Sequence, residues 1–187
     1  MPNQPAILET IEVTSRTTAK NVFWVRWVWE PELPQYLVIA NYPSVGDPKI
    51  LDVTRLLIMN HIRALKGGGV AIANLFSQPV EHLNDKALSD GSTAQGITEI
   101  INLAKQVDHV ILAMGSLPDK SKVAKARYDE LITVIKEEKL TDKVEMLINA
   151  TSKKPAHPLS LQGRTWEFQP ISEPKPSKKT MKKIADQ

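Results

Sequence analysis

No cysteine occurs in this chain of 187 residues. That absence removes disulfide bonds, thiolate nucleophiles and Cys-based zinc sites from consideration. Long apolar runs are missing too. No stretch approaches the ~18 residues that a membrane-spanning helix needs, so a soluble protein is expected. The opening MPNQPAILETIEV has no basic segment followed by an apolar one, so no secretory signal is expected and a cytoplasmic setting is the simplest reading. Histidine is scarce, with four copies. His61, His82 and His109 fall in separate segments without a His-x-x-x-His spacing, so neither a metal nor another cofactor is expected. No Gly-x-Ser-x-Gly elbow is present, and Gly67-Gly68-Gly69 runs into Val70 instead of Lys-Ser or Lys-Thr, which leaves esterase and P-loop chemistry without support.

Charge of one sign is also in short supply outside one segment. The net charge is +3, and the stretch KPSKKTMKK (residues 175–183) alone carries five lysines and no acid. The remainder is close to neutral, which gives the folded part no basic face for nucleic acid on charge alone. The tail reads as a solvated, disordered segment with at most weak phosphate contact.

What is present is an alternation of short apolar runs and helical patterns. NVFWVRWVWE (residues 21–30) is aromatic and β-branched, as strands are. YLVIANYP (residues 36–43) reads as a buried strand feeding a loop. Residues 53–65 place Leu56, Leu57, Met59, Ile62 and Leu65 at near-helical spacing and stop at KGGG. VAIANLF (residues 70–76) is again apolar and short. GITEIINLAKQV, HVILAMG, SKVAKARYDELITVIKEEK and VEMLINA continue the alternation to residue 150. Uninterrupted apolar strands separated by helices imply a parallel sheet covered on both faces.

In such sheets ligands sit beyond the carboxyl ends of the strands. The polar rim predicted there comprises residues 41–47, 74–78, 114–116 and 151–160. The last contains PAHPLS, in which His157 stands between two prolines on a stiff loop. Asn74 offers an amide donor and acceptor, suited equally to a base edge or to capping the next turn. Ser44 and Asp47 lie in the turn-rich SVGDP, and Asp52 and Thr54 read as caps of the following helix.

These rim segments, in this order, resemble a family called domain of unknown function 1643. The counterparts are NYPSVGD (residues 41–47), LDVTR (51–55), GGGVAIANLF (67–76), ILAMG (111–115) and PAHPLSL (155–161), and the likeness spans roughly residues 22–168. More remotely the chain is similar to the uracil-DNA glycosylase superfamily, whose late His-Pro loop HPLSLQGRTWEF resembles. That likeness implies a uracil-DNA-glycosylase-like fold. It also implies a pocket that takes a flipped base, a group that sets water against the sugar carbon, and donors for charge developing on the departing base.

Carried over residue by residue, the resemblance makes His157 the charge-stabilising donor and Phe76 the aromatic face. It puts Tyr42 where the water-positioning Asn or Asp would stand, so Asn41 or Ser44 would have to serve instead, since a phenol is a poor base at neutral pH. Met114 stands where the family has Trp. Asn74, Phe76, Tyr42 and Met114 are thus the candidate nucleobase contacts, and Ser160 and Arg164 the candidate phosphate contacts.

The expected architecture is a three-layer α/β domain over residues 21–170 with a central, mostly parallel sheet. It is preceded by an N-terminal extension (1–20) and followed by a basic tail (171–187). The leading expectation is a protein that binds a nucleobase, nucleotide or DNA, with weak or absent base excision. A working glycosylase for a modified base and a protein-interaction or regulatory module on the same fold are the alternatives. No membrane partner is expected.

Overall fold

The computed structural model describes residues 9–161 and 164–171. The Lys-rich stretch 175–183 lies outside the described residues. Twelve helices and strands follow in the order β1 (Glu12–Thr17), β2 (Val22–Val28), β3 (Gln35–Ala40), α1 (Val53–Ala64), β4 (Gly69–Asn74), α2 (Asp85–Asp90), α3 (Ala94–Gln106), β5 (His109–Leu112), α4 (Leu117–Lys120), α5 (Lys122–Glu137), β6 (Val144–Ile148) and β7 (Glu167–Pro170). No helix among the described residues is long and apolar enough to cross a membrane.

The strands form one seven-stranded sheet in the order β1-β2-β4-β3-β5-β6-β7. The expectation of a mostly parallel sheet is corrected to a mixed one. The central pairs β4/β3, β3/β5 and β5/β6 are parallel, whereas β1/β2, β2/β4 and β6/β7 are antiparallel. The reason is visible in burial. β3 and β4 are buried at every position, as strands covered on both faces must be. β2 alternates instead, with Phe23, Val25 and Trp27 buried and the residues between them half-buried. Its aromatic and β-branched composition satisfies a strand of either direction, so composition did not reveal which. β1 lies within the segment read as an N-terminal extension and forms an exposed edge, in register from Glu12 opposite Val28.

Period-two alternation divides the core into two layers. Leu37, Ile39, Ala71, Ala73, Val110 and Leu112 face the side covered by α3 and α5. Tyr36, Val38, Val70, Ile72 and Ile111 face the side covered by α1, through Ile58, Met59 and Ile62. Each fully buried Leu, Ile or Phe contributes roughly 1.5–3 kcal/mol relative to exposure, so these two layers hold the sheet between the helices. The chain leaves β3 through α1 to β4, then returns through α2 and α3 to β5 on the other side of β3. This reversal puts a crevice beyond the carboxyl end of β3.

The glycine run ends α1 as expected, by a different device. Lys66, at φ 59°, takes the left-handed position, with Gly67 N–H bonded to Ile62 O and Lys66 N–H to Arg63 O, both at 2.9 Å. Gly68 is required sterically: a Cβ there would lie 1.8 Å from the Glu30 carbonyl oxygen, so only a glycine lets the turn approach the end of β2.

Candidate functional site

Beyond the carboxyl ends of β3 and β4 lies a cavity of about 370 Å³, bounded by the first turn of α1, the start of β2 and the loop bearing His157. That volume falls in the range of small-molecule sites. Asn41, Tyr42, Ser44, Asn74 and His157 all line it, so five of the sequence candidates converge. Strict alternation would send Asn41 and Tyr42 to opposite faces. The strand ends at Ala40 and the backbone bends there, which brings both side chains to the cavity. The exits of the two strands are tied together, with Leu75 N–H on Ala40 O and Phe76 N–H on Asn41 O, each at 2.9 Å.

Two amides give the cavity its character. Asn74, the last residue of β4, is 8% exposed, and its side chain has no hydrogen-bond partner among the described residues. Asn41 Oδ1 is buried and likewise lacks a partner there. A buried acceptor without a donor costs about 1–3 kcal/mol, and in a native fold such a group asks for an explanation.

His157 is held by its own loop. Ala156 bridges two elements, its N–H on Leu147 O at 2.8 Å and its carbonyl accepting from Gly115 N–H at 3.2 Å. Ser160 Oγ donates to His157 O at 2.7 Å and accepts from His157 N–H at 3.3 Å. Leu159 N–H donates to His157 Nδ1 at 3.3 Å. A backbone amide can only donate, so Nδ1 is the unprotonated nitrogen and Nε2 carries the hydrogen. Burial pushes the imidazole below its ordinary pKa because the charged form loses hydration. His157 is therefore a neutral Nε2–H donor at physiological pH.

The remaining candidates go elsewhere. Phe76 is fully buried in the layer beneath α3 and α5, its Cβ 3.2 Å from where a Gly91 Cβ would stand. Met114 is buried in the same layer. The chain bends after Asn74, which turns Phe76 into the core and leaves Tyr42 as the aromatic lining the cavity. Ser160 is a staple of the His157 loop, and Arg164 is exposed and contributes its carbonyl to His61 Nε2 at 3.0 Å. Neither lines the cavity.

Sequence reasoning missed Arg55. Asp52 caps α1 by accepting Arg55 N–H at 2.8 Å on Oδ1, as its position before the helix predicted. Its Oδ2 accepts the Ser44 hydroxyl at 2.5 Å and pairs with Arg55 Nη1 at 3.1 Å. Arg55 is itself 8% exposed, and it lines the cavity together with Asp52 and Thr54. The sequence signal was LDVTR, where a capping acid three residues before an Arg brings the two side chains together at the helix start. Among the described residues no group of three or more His, Cys, Asp or Glu side chains stands close enough to hold a metal.

A second buried arginine braces the rim from below. Arg127 donates through Nε to Leu75 O at 3.3 Å, through Nη2 to Thr93 O, and through Nη1 to Glu130 at 2.8 Å. It thereby fixes the loop that follows Asn74.

An α/β domain with a cavity of mixed polar and apolar lining over its central strands is the class that this geometry defines. The chain belongs to the family described as protein of unknown function (DUF1643), whose model matches residues 23–159, from β2 to the His157 loop. No curated protein and no solved structure matches the chain.

Proposed function

We propose that the cavity binds a nucleobase or nucleotide, free or within DNA, with little or no base excision. The observation that carries this reading is that Asn41, Asn74 and the neutral Nε2–H of His157 line one cavity, with Asn41 Oδ1 and the Asn74 amide both without a partner among the described residues. Amides present donor and acceptor together, as base edges do. Val45, Val80 and Leu159 supply apolar wall and Tyr42 an aromatic one, which suits a planar ring. The remote resemblance of the His-Pro loop to the uracil-DNA glycosylase superfamily points the same way.

The test pairs two measurements on the full chain: titration with free nucleobases, nucleosides and short oligonucleotides, and a base-release assay on duplexes carrying a panel of modified bases. Binding that weakens in Asn41→Ala and His157→Ala, without abasic product, is the expected result. Absence of both binding and release would remove this reading and leave a protein-interaction module in its place.

Base excision is the second reading, favoured by Asp52. The phenol at position 42 is a poor base, yet the Asp52 carboxylate shares the cavity with His157 and suits a water-positioning or cation-stabilising role. Release of a base that Asp52→Asn abolishes, with binding retained, would establish it.

A further inference from the structure

Arg55 is the part of the cavity that base recognition leaves unused. Its side chain is 10% exposed, and one nitrogen, Nη1, makes all its side-chain contacts: to Ile50 O at 2.7 Å and to Asp52 Oδ2 at 3.1 Å. Nε and Nη2, which together carry three N–H donors, have no acceptor among the described residues. The buried side-chain atoms without partners there are Asn41 Oδ1 and Trp166 Nε1, so the spare nitrogens of Arg55 are not sealed off, and they belong to a side chain that lines the cavity.

Next to them is the first turn of a twelve-residue helix. Asp52 takes the N–H groups of Arg55 and Leu56. Those of Val53 and Thr54 have no intrahelical acceptor, and they carry the positive end of the helix dipole. Asp52 counts against an anion here, but its carboxylate is already met by the Ser44 hydroxyl, the Arg55 amide and Nη1, which spread its charge.

The cavity is consequently polarised. Towards Asn41 and Asn74 it offers donors and acceptors mixed. Towards Arg55 and Thr54 the unfilled backbone and guanidinium groups only donate. A ligand group matched to a planar fork plus helix amides has several acceptor oxygens and negative charge, as a phosphate has.

We propose that Arg55 and the first turn of α1 form a phosphate subsite of this cavity, so that its ligand is a nucleotide and not a bare base or nucleoside. The inference rests on the nucleobase reading for its other half. The phosphate belongs either to a free 5′-monophosphate or to a DNA phosphodiester.

Calorimetric titration with a nucleoside, its 5′-monophosphate, inorganic phosphate and a short single-stranded oligonucleotide tests it. The monophosphate or the oligonucleotide should bind about tenfold or more tightly than the nucleoside, as charge-assisted hydrogen bonds imply. Arg55→Gln should erase that advantage while nucleoside affinity stays within about twofold, and Arg55→Lys should restore part of it. Which of the two ligands depends on Arg55 identifies the phosphate source. If inorganic phosphate binds in an Arg55-dependent way and no nucleoside binds, the subsite stands and the base reading falls. Equal affinity for nucleoside and phosphorylated ligands, or an equal loss for both in Arg55→Gln, overturns the subsite. Should Arg55→Gln fail to fold by circular dichroism, Arg55→Lys carries the comparison: retention of the full phosphate advantage without the planar fork would overturn the proposed bidentate contact.

Discussion

Gly115 seats His157. Its φ is +61°, in the left-handed region, and a Cβ at this position would lie 3.2 Å from His157 Cβ and 3.3 Å from His157 N. The turn after β5 thus approaches the His157 backbone as closely as it does because no side chain intervenes. The two residues are far apart in the chain, yet one glycine sets where the imidazole stands.

Gly115→Ala should therefore do two things. Backbone strain of this kind costs roughly 1–3 kcal/mol, readable in urea unfolding, and the displaced His157 loop should weaken ligand binding as much as His157→Ala does. A variant of unchanged stability and affinity would show that the loop accommodates the methyl group freely.

Asn41→Ala should separate function from stability. Truncation removes an acceptor that no donor among the described residues satisfies, so the ligand-free protein should be as stable as before or up to about 1–3 kcal/mol more so. Nucleobase affinity should drop about tenfold. Loss of stability with affinity intact would mean that Asn41 supports the fold and not the ligand.

The half-buried imidazole of His157 makes a pH prediction. Its folded pKa is depressed, with burial as the cause. Above the ordinary value near 6.5 both folded and unfolded forms are neutral at this site. As pH falls below that value the unfolded chain takes the proton first, so stability is lost between the unfolded and the folded pKa. Thermal melts from pH 8 to pH 5 should show a downward slope below about 6.5 that His157→Asn reduces. Equal slopes in the two proteins would count against a desolvated, neutral His157.

Arg127→Met should destabilise by about 2–4 kcal/mol, because it strips charge-assisted donors from the carbonyls of Leu75 and Thr93 in a buried setting. The loop after Asn74 should then exchange its amide hydrogens faster than β3 does. Unchanged exchange there would show that the loop stands without its brace.

Local chemistry in the chain determined the parts that depend on neighbours in sequence. Apolar runs such as YLVIA and VAIA specify buried strands, Asp52 specifies the start of α1, and KGGG specifies its end, since burial, capping and turn geometry are short-range demands. From these came the helix–strand alternation and the position of the strand-end rim that carries Asn41, Asn74 and His157, which line one cavity. Tertiary structure alone decided strand direction at the sheet edges, because β2 and β7 satisfy either pairing until their partners are placed. It decided that Phe76 and Met114 turn into the core while Tyr42 faces the cavity, a matter of where the backbone bends beyond each strand. It also decided that Arg55, one charged residue among many in the sequence, is buried with Nε and Nη2 unpaired among the described residues, since burial of a guanidinium depends on what packs around it and not on the residues beside it in the chain.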